Sequence, residues 1–110
     1  MDAEMEKLLP KKKRDPELMV ALSAIIDPEL FVPITEMGLI YGAEMKGSTA
    51  KILMTLTTIG CPLFDVIQAD IEKELKKIDT VENIDIELTF DPPWHAGMLS
   101  EAAQIELGLV

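Results

Sequence analysis

The apolar residues change their spacing twice in the second half of the chain, and this restricts the fold more than any other feature. Phe64, Ile67, Ile71, Leu75 and Ile78 recur at intervals of three and four, which gathers them on one face of an α-helix. Asn83–Phe90 then alternates strictly. Ile84, Ile86, Leu88 and Phe90 fall on one side, and Asp85, Glu87 and Thr89 on the other, as in a strand with one buried face. Before the helix, Ala50–Thr57 places Ile52, Met54 and Leu56 on one face, with Lys51, Leu53, Thr55 and Thr57 opposite. Leu53 makes that second face partly apolar, so both faces of this strand are expected to be covered in part.

The remaining elements follow from local signals. Asp15-Pro16-Glu17 is a helix start, with an N-cap acid, a proline at the first helical position and an acid in the first turn. The helix is expected over Pro16–Ile26 and is apolar nearly all round; Pro28 disfavours helical geometry at Asp27 and ends it. Asp27–Pro33 reads as an extended two-proline loop, Gly38–Met45 as a strand and Lys46–Thr49 as a hairpin turn. The long helix is expected from Pro62 to about Ile78, with acids early and lysines late along its polar face. Asp91-Pro92-Pro93-Trp94 stops the last strand, and Ser100 can cap a closing helix that runs through Leu107 to Gly108. The order α-β-β-α-β-α predicts an α+β fold: a two-layer domain with a small three-stranded mixed sheet and helices on one side. It occupies residues 15–110, behind a flexible charged tail over residues 1–14.

At 110 residues the chain can enclose one core but not two, and its mean hydropathy of +0.20 opposes wholesale disorder. The longest near-continuous apolar stretch, Leu18–Ile26, is about half the roughly 20 residues a membrane-spanning helix needs. No basic stretch leads into an apolar run near Met1, so a cytoplasmic location is expected. The net charge is −10, and the bases are uneven. Residues 1–14 hold five bases and three acids, whereas residues 15–110 hold five bases and seventeen acids. A body of that sign repels phosphate backbones and anionic lipid, which excludes nucleic acid and membrane as main partners. A KH-type RNA module shares the layout but needs a Gly-x-x-Gly loop and a basic groove, and the chain has neither.

The chain has one cysteine, Cys61, and one histidine, His95. An intramolecular disulfide is therefore impossible, and these two residues cannot build a closed soft-metal site of three or four ligands. Any iron–sulfur or zinc chemistry needs ligands from a second chain, a small molecule or carboxylates. Cys61 stands between Gly60 and Pro62 at the expected strand-to-helix junction, where free helix N–H groups and the positive end of the helix dipole favour a thiolate. Thr57 and Thr58 add hydroxyls nearby in sequence, whereas Asp65 and the acidic body favour the protonated thiol. Position alone fits a buried structural cysteine equally well. Asp27 and Glu29 are a carboxylate pair two residues apart, able to face one site if the loop is extended; Asp27 can also simply cap the end of the first helix. Trp94 reads as a core or interface anchor. There is no Gly-rich phosphate loop, Ser/His/Asp set or Cys-x-x-Cys pair.

Five motifs occur in order: Asp27-Pro28-Glu29, Gly38-Leu39-Ile40, Thr57-Thr58-Ile59-Gly60-Cys61-Pro62, Asp91-Pro92-Pro93-Trp94, and Ser100 followed by Leu107-Gly108-Leu109. Together they resemble the metal–sulfur cluster biosynthesis family, which includes PaaD-like and SufT-like proteins and the MIP-type factors of eukaryotic cytosolic iron–sulfur assembly. The resemblance covers residues 16–109. It implies a domain similar to the C-terminal domain of NifU-type scaffolds and a non-enzymatic role in assembling iron–sulfur clusters or delivering them to apo-proteins. It also implies that the reactive cysteine is Cys61, the loop acids are Asp27 and Glu29, and the threonine before the cysteine is Thr57. Many relatives carry a small hydroxyl residue after the tryptophan; this chain has His95, so no role is carried over to it.

The leading expectation is a maturation factor in which Cys61 holds iron or a cluster transiently, alone or shared between two subunits of a homodimer. Asp27 and Glu29, with Thr57 and Thr58, would support it, and its partners would be apo iron–sulfur proteins and other assembly proteins. The alternative is a metal-free adaptor that binds apo-targets or a scaffold ATPase, with Cys61 structural. Weaker readings are an accessory protein of a ring-hydroxylating oxygenase and a thiol enzyme pairing Cys61 with His95.

Overall fold

A computed structural model of the chain describes residues 13–28, 30–57 and 64–108. Its elements run α1 (Pro16–Leu22), β1 (Ile40–Lys46), β2 (Thr49–Met54), α2 (Phe64–Leu75), β3 (Asn83–Leu88), a short 3-10 turn (Ala96–Met98) and α3 (Glu101–Glu106). The three strands form one sheet in the order β1-β2-β3. β1 and β2 are an antiparallel hairpin pairing Ala43 with Ile52, and β3 lies parallel to β2 with Ile86 beside Ile52. This is the mixed α+β sheet that the element order calls for, because the helix between β2 and β3 carries the chain back to the same end before the next strand begins.

The register puts Ala43, Ala50, Ile52, Met54, Ile84 and Ile86 on one face. α1 packs there against β1 and α2, and α2 against β3. Leu18 and Leu22 of α1, and Ile67, Ile71 and Leu75 of α2, are buried in this layer. Each such aliphatic side chain contributes about 1.5–3 kcal/mol by leaving water. On the opposite face Tyr41 and Met98 form a second, smaller buried cluster against Leu53 and Trp94, so the partly apolar side of β2 is covered as its sequence indicates.

α1 is shorter than its apolar residues suggest. It is capped as expected, with Asp15 Oδ1 accepting from Glu17 N at 2.9 Å, but it stops at Leu22 instead of Ile26. The next residues are claimed by non-local pairing: Ile34 N donates to Ile25 O at 2.9 Å and Ile26 bridges Pro33. The expected extended loop at 27–33 is accordingly a closed hairpin loop. Asp27 N donates to Val32 O and Phe31 N to Asp27 O, both at 2.8 Å. β2 likewise ends at Met54, short of Thr57, because its partner β1 begins at Ile40, which pairs with Met54. β3 ends at Leu88 instead of Phe90, although Thr89 N still reaches Met54 O. Within the long helix, the described part runs from Phe64 to Leu75; Pro62 lies outside the described residues, and Ile78 falls in the turn that follows.

Lys13 and Arg14, assigned by sequence to the tail, are held at the outer edge of β1. Ala43 N donates to Lys13 O at 2.9 Å and Asp15 N to Ala43 O at 2.7 Å. Among the described residues no helix is long and apolar enough to cross a membrane.

Candidate functional site

Three backbone hydrogen bonds in series link the roots of the two segments that carry the candidate residues. Ile34 N donates to Ile25 O (2.9 Å), Leu39 N to Ile34 O (3.2 Å) and Thr55 N to Leu39 O (2.9 Å). Asp27 follows Ile25 by two residues and Thr57 follows Thr55 by two. Each link spans about 5 Å between Cα atoms, so the loop root and the end of β2 lie within about 15 Å of each other. The chain of bonds is well protected, since Ile25, Ile34, Leu39 and Thr55 are all buried.

Asp27 is nearly buried, at 8% exposure, and its Oδ1 accepts the Leu30 N–H at 2.9 Å. Its backbone and carboxylate together fold residues 27–32 into a compact turn. Phe31 adopts φ 57° within this turn and is 75% exposed, with Ile26 and Leu30 also exposed. A left-handed phenylalanine costs about 1–2 kcal/mol, which the closing hydrogen bonds of the loop offset. Thr57 is half-buried and ends the described segment that leads from β2. Phe64, at the start of α2, is packed against the core. Glu29, Thr58 and Cys61 lie outside the described residues, and neither the Asp27–Glu29 pairing nor the surroundings of the thiol are part of this geometry.

The other motifs converge on the same end of the sheet. Tyr41 Oη donates to Pro92 O at 2.7 Å and lies 3.5 Å from Met98 Sδ. Trp94 Nε1 donates to Met37 O at 2.7 Å, and Ser100 N to Glu36 O at 2.7 Å. Gly38, at φ 76°, sits so close to the Met98 carbonyl that a Cβ there would lie 2.4 Å from its oxygen. The segment 91–100 is thereby strapped over residues 36–41, and those residues hold Thr55. Burial pushes the Tyr41 hydroxyl above the usual phenol range, against a smaller opposing effect from its hydrogen bond with Thr55. Sequence reading anticipated Trp94 as an anchor and Ser100 as a cap, and Ser100 Oγ does accept from Ala103 N. It missed Tyr41 and Thr55. The available signal was a lone tyrosine in an apolar strand, whose hydroxyl needs a partner once the ring is buried, whereas its face was set by the register shift between Ile40 and Gly42. His95 is exposed, and its Nδ1 accepts from Gly97 N at 3.1 Å, capping the 3-10 turn.

Among the described residues no group of three or more His, Cys, Asp or Glu side chains is arranged to hold a metal ion. Residues 15–87 match the model of a family described as iron–sulfur cluster assembly protein. The chain belongs to that family. As a member it is 37% identical over 93 residues to the Fe-S protein maturation auxiliary factor YitW of Bacillus subtilis, covering 84% of this chain and 91% of that protein. It is 33% identical to the Fe-S protein maturation auxiliary factor SufT of Staphylococcus aureus, covering 77% of this chain and 98% of the relative. It also matches the iron-sulfur cluster carrier protein of Deinococcus radiodurans at 37% identity, over 64% of this chain but only 20% of that larger protein. Among solved structures, a DUF59 domain from Bacillus anthracis superposes with a TM-score of 0.79 at 38% identity, covering 86% of this chain and 91% of that one. A conserved hypothetical protein from Thermotoga maritima gives 0.73 at 39% identity, covering 89% and 98%. These matches agree with both the family resemblance and the α+β architecture read from the sequence.

Proposed function

We propose that this protein is an iron–sulfur maturation factor that holds iron or a cluster transiently through the Cys61 thiolate and passes it on by ligand exchange, without turning over a substrate. The observation that carries the reading is the hydrogen-bonded series Ile25–Ile34–Leu39–Thr55. It ties the root of the loop that begins at Asp27 to Thr55, and so to Thr57, four residues before Cys61 in the sequence. The names of the relatives, maturation auxiliary factors and cluster carriers, support the same role in general terms.

The ligand count fits a carrier better than a resident site. One cysteine and one histidine cannot complete the coordination of iron or of a cluster. The remaining positions fall to a second subunit, a small thiol or the receiving apo-protein, and open positions are what ligand exchange requires. Cys61 precedes Phe64, the start of the 12-residue α2, by three residues, so the positive end of that helix favours the thiolate. Asp27 already gives Oδ1 to the loop. Its part is to hold the turn between Asp27 and Val32, and the hard oxygen donor in this reading is Glu29.

Anaerobic reconstitution with iron and sulfide, followed by transfer to an apo iron–sulfur enzyme, tests this. Wild type should bind iron, show thiolate-to-iron charge-transfer absorption and activate the enzyme, and Cys61→Ser should lose all three. Cys61→Ser supporting maturation as well as wild type would remove the thiolate mechanism. If neither protein binds iron and maturation still depends on the factor, the protein is a metal-free adaptor.

A further inference from the structure

β3 is an edge strand of the sheet. β1 is flanked by Lys13–Asp15 on its outer side, but among the described residues nothing pairs with the outer side of β3. Asn83 N donates to Ser48 O and Thr89 N to Met54 O, both toward β2. Backbone groups alternate along a strand, so the N–H and C=O groups of Ile84, Ile86 and Leu88 project from the outer edge. The side chains alternate as well. Ile84 and Ile86 pack against the core, Leu88 is 37% exposed, and Asp85 and Glu87 stand exposed on the other face.

We propose that this edge is a strand-addition site for an extended polypeptide segment in which lysine or arginine alternates with aliphatic residues. Such a segment satisfies both faces at once. Its cations lie beside Asp85 and Glu87, and its aliphatic residues continue the apolar row Ile84–Ile86–Leu88. Within the sheet, only Asp85 has a cation across from it, Lys51 on β2; Glu87 is paired with Leu53. The net charge of −10 draws a basic strand from a distance as well. A second copy of the chain does not fit. Antiparallel self-pairing about Asp85, Ile86 or Glu87 sets acid opposite acid, which is how natural edges avoid their own kind.

The experiment uses the full ¹⁵N-labelled chain titrated with a capped octapeptide alternating lysine and valine, and a second alternating glutamate and valine. The lysine peptide should shift and protect from exchange the amides of Ile84, Ile86 and Leu88, with little protection elsewhere, and should bind at least tenfold more weakly at high salt. The glutamate peptide should give none of these effects. Asp85→Lys with Glu87→Lys should reverse the preference, and Ile86→Pro should weaken binding while sparing the bonds to β2, because the Ile86 N–H points outward. Cys61→Ser should bind the peptide as wild type does, which separates this site from the thiol chemistry. Protection absent from the β3 amides, an unreversed preference in the double variant, or a free protein that is already dimeric through β3 would each overturn the proposal.

Discussion

Two glycines in left-handed conformations separate backbone strain from steric exclusion. Gly38 (φ 76°) and Gly47 (φ 63°) both adopt angles that an L-residue resists, but a Cβ on Gly47 meets nothing within 4 Å, whereas one on Gly38 would lie 2.4 Å from the Met98 carbonyl oxygen. Gly47→Ala should suffer only the left-handed penalty, about 1–2 kcal/mol. The smaller entropy of the unfolded alanine chain offsets roughly 0.4–1 kcal/mol of that, leaving a net loss of about 1 kcal/mol. Gly38→Ala bears the same cost and must also displace backbone, which adds about 1–3 kcal/mol, so its loss should be about 2–4 kcal/mol. For a domain of this size each kcal/mol lowers Tm by about 4–8 °C. Urea denaturation followed through the single tryptophan is a suitable assay, since Trp94 Nε1 is bonded to Met37 O, next to Gly38. The emission of folded Gly38→Ala should also shift as the 91–98 strap lifts. Equal stability of the two variants would refute the claim that the strap rests on Gly38.

Tyr41 is the only tyrosine, so tyrosinate absorbance near 295 nm reports it alone. Its native pKa is raised, so both states are neutral below the unfolded value of about 10 and stability there does not depend on this group. Above that value the unfolded chain loses the proton first, and stability should fall as pH rises through the native pKa; titration at or below the free-phenol value in the folded protein would contradict the burial argument. Asp27→Ala should cost about 1 kcal/mol and speed hydrogen exchange at the Leu30 amide, because the Oδ1 acceptor is lost. Asp27→Asn retains an acceptor oxygen and should stay near wild-type stability and, if Asp27 only positions the loop, near wild-type maturation. Loss of maturation in folded Asp27→Asn would instead make the carboxylate charge itself a participant.

The sequence by itself determined the order of elements, the faces they bury and the residues worth suspecting. Periods of two and of three to four are local properties, and burial of apolar surface acts on them wherever the elements end up. The Ile67–Ile71–Leu75 stripe, the alternation of β3 and the Asp15 and Ser100 caps are all legible for that reason. Cys61 could be singled out by count alone, but no periodicity describes its surroundings.

Only the tertiary structure decided where elements stop and which loops meet. Ile25 and Ile26 suit a helix as well as a hairpin, and the choice fell to backbone partners at Pro33 and Ile34. Asp27 became an internal acceptor of a closed turn, where its sequence suggested an extended chain. Tyr41 found its partner at Pro92, 51 residues away. Such pairings are settled by which buried N–H and C=O groups remain unsatisfied once the layers pack. That accounting exists only when distant segments share one interior.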